Sequence, residues 1–156
     1  MLRAGACVTE GGSGVTGESE AGTGPGGGRV LLIEDEPNIT TAIAFILRGD
    51  GWRVATHCDG ATAMDAVARH APDVVVLDVM LPGRSGFDVL GAIRAGTRPD
   101  LPVLMLTAKG QPADRARAEA LGASRFMTKP FANRELVDAV RALGGRGAEA
   151  EAPCGR

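Results

Sequence analysis

Residues 72–78 read PDVVVLD, and the reading of this stretch decides the fold. Three successive valines and a leucine carry no polar alternation, so a strand here is apolar on both faces. Such a strand belongs to a parallel sheet packed between two layers of helices. It runs directly into an acid, Asp78. Outward from it, RVLLI (29–33) and LPVLMLT (101–107) have the same character, and WRVATH (52–57) and RFMT (125–128) complete five short strands. Amphipathic stretches separate them. One helix is expected from about Pro37 to Arg48, stopped by Gly49 and Gly51, and a second from a cap at Asp59 to about His70. A third starts at Ser85, a fourth runs from about Pro112 to Leu121, and a last one spans Asn133 to Leu143, capped by Asn133 with Glu135 close behind. Alternating strands and helices need right-handed crossovers, which build an α/β sandwich around a parallel sheet.

In an open parallel sheet the ligand crevice lies beyond the carboxyl ends of the strands. The chemistry-bearing residues fall there: Glu34-Asp35-Glu36 after the first strand, Asp78 ending the third, Thr107 ending the fourth and Lys129 following the fifth. Crowded carboxylates repel one another and require raised pKa values or a cation. A few hard oxygen donors suit Mg2+, which takes one or two carboxylates and keeps room for phosphate oxygens. Taken singly, Glu34 or Asp35 reads as an acid favouring the helix dipole before Pro37; the coincidence with Asp78, Thr107 and Lys129 outweighs that reading. Lys109 and Lys129 are the only lysines in the chain, so a lysine among these acids is not compositional background.

Four segments, LLIEDEPN (31–38), VVVLDVMLPGRSGFDVL (74–90), PVLMLTA (102–108) and GASRFMTKPF (122–131), together resemble the receiver domains of bacterial response regulators, in the family's order and approximate spacing. The resemblance covers residues 29–143 and implies a flavodoxin-like (βα)5 sandwich with strand order 2-1-3-4-5. It further implies that Asp78 is the phosphoacceptor and that Mg2+ is held by Asp35, Asp78 and the Met80 carbonyl, with Glu34 acting through a bound water. By the same resemblance Lys129, joined to Pro130 by a cis bond, neutralises a phosphoryl oxygen. Thr107 and Phe126 carry the switch to the face formed by helix 4, strand 5 and helix 5. Met80 and Lys109 flank the pocket, where a bulky apolar side chain and a long cation are expected to hinder water and prolong the phosphoryl group. The donor implied is a sensor histidine kinase or a histidine phosphotransfer protein. The domain is expected to be a phosphoacceptor rather than a turnover enzyme, acting in trans on a downstream protein as a monomer or a weak phosphorylation-dependent dimer. Arg125 and Ala139 stand where dimerising DNA-binding relatives carry an acid and a base, which counts against that dimer.

The bulk numbers agree with one soluble domain: 156 residues, 44% hydrophobic, 23% charged, formal net charge -2. That charge offers no general attraction to nucleic acid or anionic membrane, so neither is an expected partner. No apolar run approaches the roughly 20 residues needed to span a bilayer, and a cytoplasmic protein is expected. Cys7, Cys58 and Cys154 show no metal or CxxC spacing and are expected to be free thiols. Residues 1–28, which include GGSGVTGESEAGTGPGGG, have almost nothing apolar to bury and are expected to be a disordered tail, as is the short segment 144–156. His57 and His70 have no catalytic partner at useful spacing. Two other classes remain. A phosphorylation-independent scaffold would leave so complete a pocket unused. A dehalogenase-type phosphatase would want an aspartate where Met80 stands, and a flavin protein would want a phosphate loop where Glu34-Asp35-Glu36 would repel it.

Overall fold

The computed structural model describes residues 28–108 and 110–144. The expected tails, apart from Gly28 and Gly144, and Lys109 lie outside the described residues. The elements run β1 (Arg29–Ile33), α1 (Pro37–Gly49), β2 (Arg53–His57), a 3-10 turn (Gly60–Thr62) leading into α2 (Ala63–His70), β3 (Val74–Asp78), α3 (Gly86–Ala95), β4 (Val103–Thr107), α4 (Pro112–Ala120), β5 (Arg125–Thr128) and α5 (Asn133–Gly144). The strands form one sheet in the order β2-β1-β3-β4-β5, and every neighbouring pair is parallel. This is the flavodoxin-like order that the resemblance implied.

Period-two alternation divides the core. Leu31, Ile33, Val75, Leu77, Val103 and Met105 face one side of the sheet, where α2, α3 and α4 cover them. Val30, Leu32, Val74, Val76, Leu104 and Leu106 face the other side, under α1 and α5. All five residues of β3 and of β4 are buried, as the unbroken apolar runs require. Each fully buried Val or Leu contributes about 1.5–3 kcal/mol. The covered faces therefore lock the register that puts Asp78 opposite Leu106.

Helix ends follow local chemistry. Pro37 opens α1, where its missing N–H costs nothing. Gly51 leaves α1 with φ of 96°, a left-handed conformation that favours glycine. Asp50, at the same corner, accepts hydrogen bonds from Trp52 Nε1 at 3.1 Å and Arg141 Nε at 3.0 Å, tying α1 to α5. Two boundaries differ from the sequence reading. The helix expected from Asp59 begins as a 3-10 turn, with Asp59 accepting from the Ala61 N–H at 2.9 Å. Asn133 is already helical. Ala132 precedes it, accepting from the Leu136 N–H and donating its own N–H to Glu135 at 3.1 Å. The Glu135 side chain thus does the capping that was assigned to Asn133. Of the three cysteines expected to be free thiols, Cys7 and Cys154 lie outside the described residues. Among the described residues no helix is long and apolar enough to cross a membrane.

Candidate functional site

Beyond Ile33 the chain keeps its strand direction for one more residue, because the Glu34 N–H donates to the His57 carbonyl at 2.9 Å. Glu34 is thereby held inward and only 2% exposed, while the next residue, Asp35, lies exposed. Asp78, the last residue of β3, is 3% exposed. One carboxylate oxygen from each of Glu34, Asp35 and Asp78 lies within 4.8 Å of the others. Two buried acids and one open to solvent therefore face a single point.

Lys129 reaches them from the far side of the sheet. Its N–H donates to the Thr107 carbonyl at 2.8 Å and its bond to Pro130 is cis. Its Nζ stands 3.1 Å from Glu34 Oε1 and 3.1 Å from Asp78 Oδ1. Burial, and after it the neighbouring Asp78 charge, pushes the Glu34 carboxyl up despite Lys129. Burial likewise raises Asp78, with Lys129 opposing and Asp35 adding to the rise. Burial works against the Lys129 ammonium, but the Asp78 and Glu34 carboxylates outweigh it and hold its pKa above the usual lysine range. One ammonium does not offset three carboxylates.

The donor set fits a divalent cation. Oxygen ligands of an octahedral ion at about 2.1 Å sit about 3.0 to 4.2 Å apart, close to the spread seen here. Asp78 Oδ1 is buried and receives no well-directed hydrogen bond, although the Lys129 ammonium lies near it. An oxygen in that state is available to a metal or to a reacting atom.

Thr107 is 2% exposed at the end of β4 and pairs in register with Thr128. Phe126 lies two residues before Thr128 and opposite Met105, so it shares a sheet face with Thr107. Phe126 is partly buried against the core on the α2, α3 and α4 side, and the Arg115 guanidinium stands 5.4 Å from its ring centroid. Met80, two residues past Asp78, is 68% exposed. The pocket thus brings together Glu34, Asp35, Asp78 and Lys129, with Thr107 tied to Lys129 through the backbone. Phe126 sits one step removed, and Lys109 is outside the described residues.

Gly86 is a residue the sequence reading passed over. Its N–H donates to the Val79 carbonyl at 2.8 Å, and a Cβ there would come within 2.2 Å of the Asp78 carbonyl oxygen. The start of α3 is pressed against the end of β3. The available signal was a glycine inside the first turn of a helix capped by Ser85, a place where glycine costs about 1 kcal/mol relative to alanine.

Similarity to known proteins agrees with this geometry. The chain is 46% identical over 134 residues to the transcriptional regulatory protein TcrA of Mycobacterium tuberculosis (strain ATCC 25618 / H37Rv), covering 81% of this chain and 53% of TcrA. It is 41% identical over 120 residues to the sensory transduction protein RegX3 of Mycolicibacterium smegmatis, covering 77% of this chain and 52% of RegX3. The chain thus spans about half the length of the curated relatives it matches. The crystal structure of a response regulator from Chloroflexus aurantiacus J-10-fl superposes with a TM-score of 0.73 at 29% identity, over 76% of this chain and 98% of that one. The BeF3-activated receiver domain of RstA from Klebsiella pneumoniae superposes with a TM-score of 0.70 at 28% identity, over 74% and 97%. The profile of the response regulator receiver domain matches residues 30–141, and the chain belongs to that family of two-component signalling domains.

Proposed function

We propose that Asp78 accepts a phosphoryl group from a phosphohistidine on a sensor histidine kinase or a histidine phosphotransfer protein, and that this phosphorylation switches the face formed by α4, β5 and α5. The observation that carries the reading is the convergence of Glu34, Asp35, Asp78 and Lys129, with Asp78 Oδ1 buried and 3.1 Å from Lys129 Nζ. A carboxylate oxygen of Asp78 attacks phosphorus, the P–O bond forms as the P–N bond to the donor imidazole breaks, and the imidazole leaves. The obstacle is charge, because an anionic nucleophile meets an anionic phosphoryl group. Lys129 offsets part of it at the oxygen it already faces. Glu34, Asp35, Asp78 and the Met80 carbonyl would hold Mg2+, which when bound neutralises phosphoryl charge and orients the group. The remaining task of the protein is positioning.

Thr107 carries a hydroxyl beside the pocket, and Phe126 lies on the same sheet face toward α4. A phosphoryl group that draws the Thr107 hydroxyl inward shifts the β4–α4 loop and changes the space open to Phe126. Such a switch moves an existing equilibrium by the difference in its interactions with the two states. Each domain reacts once per phosphoryl group and does not turn over substrate.

Intact mass after incubation with Mg2+ and acetyl phosphate tests this. One phosphoryl adduct on the wild type, absent from Asp78→Asn and absent with chelator, is the expected result. An unmodified wild type that is folded and binds no detectable Mg2+ would overturn it and favour a phosphorylation-independent adaptor.

A further inference from the structure

At the opposite end of the sheet from the acidic pocket, the short helix α2 stops at His70 and leaves the start of the edge strand β2 uncovered. A cavity of about 340 Å³ opens there, walled by Arg29, Arg53, Arg69 and His70 over an apolar floor that includes Ala55 and Pro72. Its charge is one-sided. Arg29 and Arg53 are register partners on adjacent parallel strands, so two like charges stand side by side on one sheet face, an arrangement that is unfavourable by itself. Arg69 adds a third guanidinium from the last turn of α2. Among the described residues none of the three is in an ion pair with a carboxylate. The nearby Asp73 carboxylate accepts the Arg29 backbone N–H at 2.8 Å and does not line the cavity. His70 is held below its ordinary pKa by burial, then by the charges of Arg69 and His57, with no acid opposing them. The C-terminal dipole of α2 accounts for basic residues at Arg69 and His70, but not for Arg29 and Arg53, which belong to strands.

We propose that this cavity binds a small phosphate-bearing anion. Arginines from two strands and a helix line this one cavity, and guanidinium groups suit phosphate oxygens in charge and donor pattern. The volume lies within the range of small-molecule sites, and the apolar floor suits an organic group attached to the phosphate. The overall charge of -2 and the concave shape favour a small ligand over a nucleic acid backbone. The site draws on none of the residues that would accept the phosphoryl group, so it stands or falls separately from the function proposed above.

The test is a titration followed by amide chemical shifts, without divalent cations so that the acidic pocket stays out of play. The probes are inorganic phosphate, pyrophosphate and ADP. Saturable shifts confined to residues around Arg29, Arg53 and Arg69, with pyrophosphate tighter than phosphate, are expected. ADP tighter than pyrophosphate identifies an organic carrier on the apolar floor; equal affinity identifies a free polyphosphate. Arg53→Gln and Arg69→Gln each weaken binding about tenfold, whereas Arg125→Gln on β5 leaves it unchanged. Shifts that do not saturate, or that survive Arg53→Gln and Arg69→Gln intact, overturn the site.

Discussion

Lys129 Nζ lies 3.1 Å from Asp78 Oδ1, although β5 and β3 are separated by the whole of β4. The same ammonium is equally close to Glu34. Removing it leaves two buried carboxylates facing each other, and breaking a buried ion pair costs more than making it gains. Lys129→Met is therefore expected to lower stability by on the order of 2 kcal/mol without Mg2+. Urea denaturation with and without Mg2+ measures this. The deficit shrinks when the divalent ion is present, because the ion takes over part of the compensation. An equal loss in both conditions would assign Lys129 a purely packing role.

Metal should stabilise the fold through linkage. An ion that binds the native state at about a hundred times its dissociation constant adds about 2.7 kcal/mol. The thermal midpoint of the wild type is expected to rise with Mg2+ and return with chelator. Asp35 is exposed, so Asp35→Asn should barely change stability in chelator yet remove most of the Mg2+ response.

Gly86 has no room for a side chain. A Cβ would sit 2.2 Å from the Asp78 carbonyl oxygen and 2.8 Å from Val79 Cα, both backbone atoms that cannot move aside cheaply. Gly86→Ala is expected to destabilise by roughly 1–3 kcal/mol, the usual range for overpacking, even though alanine is the better helix former. Gly91, on the same helix, has nothing within 4 Å of such a Cβ, and Gly91→Ala should be neutral or stabilising. Chemical denaturation of the two variants side by side provides the comparison.

His57 carries a pH dependence that can be isolated. Burial, then the Arg69 charge, holds its pKa below the ordinary value of 6.5, although Asp59 and Asp65 pull the other way; its Nε2 pairs with Thr62 Oγ1 at 2.8 Å. A depressed folded pKa means that the unfolded chain binds the proton more readily. The contribution of His57 is therefore fully present above 6.5 and is lost as pH falls through the folded value. The lowered His70 acts in the same sense, and the raised carboxyls of Glu34 and Asp78 act in the opposite one. The difference between wild type and His57→Gln is thus the informative quantity. Denaturation midpoints at pH 7.5 and 5.5 should diverge less in the variant.

The strands were legible because burial on both faces leaves its mark in composition: β1, β3 and β4 are apolar runs, and each leads into a polar residue at the carboxyl end of the sheet. The acidic pocket followed from those ends, since parallel strands bring their carboxyl termini to one side. The strand order came from the resemblance and was then observed; no local pattern distinguishes β3 beside β1 from β3 beside β2. What tertiary structure alone decided depends on distances between residues far apart in the chain. It set the two 3.1 Å contacts of Lys129. It packed Gly86 against the Asp78 backbone. It aimed the Arg94 guanidinium at the carbonyls of Pro99, Leu101 and Gly122. Periodicity reports whether a residue faces the core; only the packed fold determines which partner it meets there.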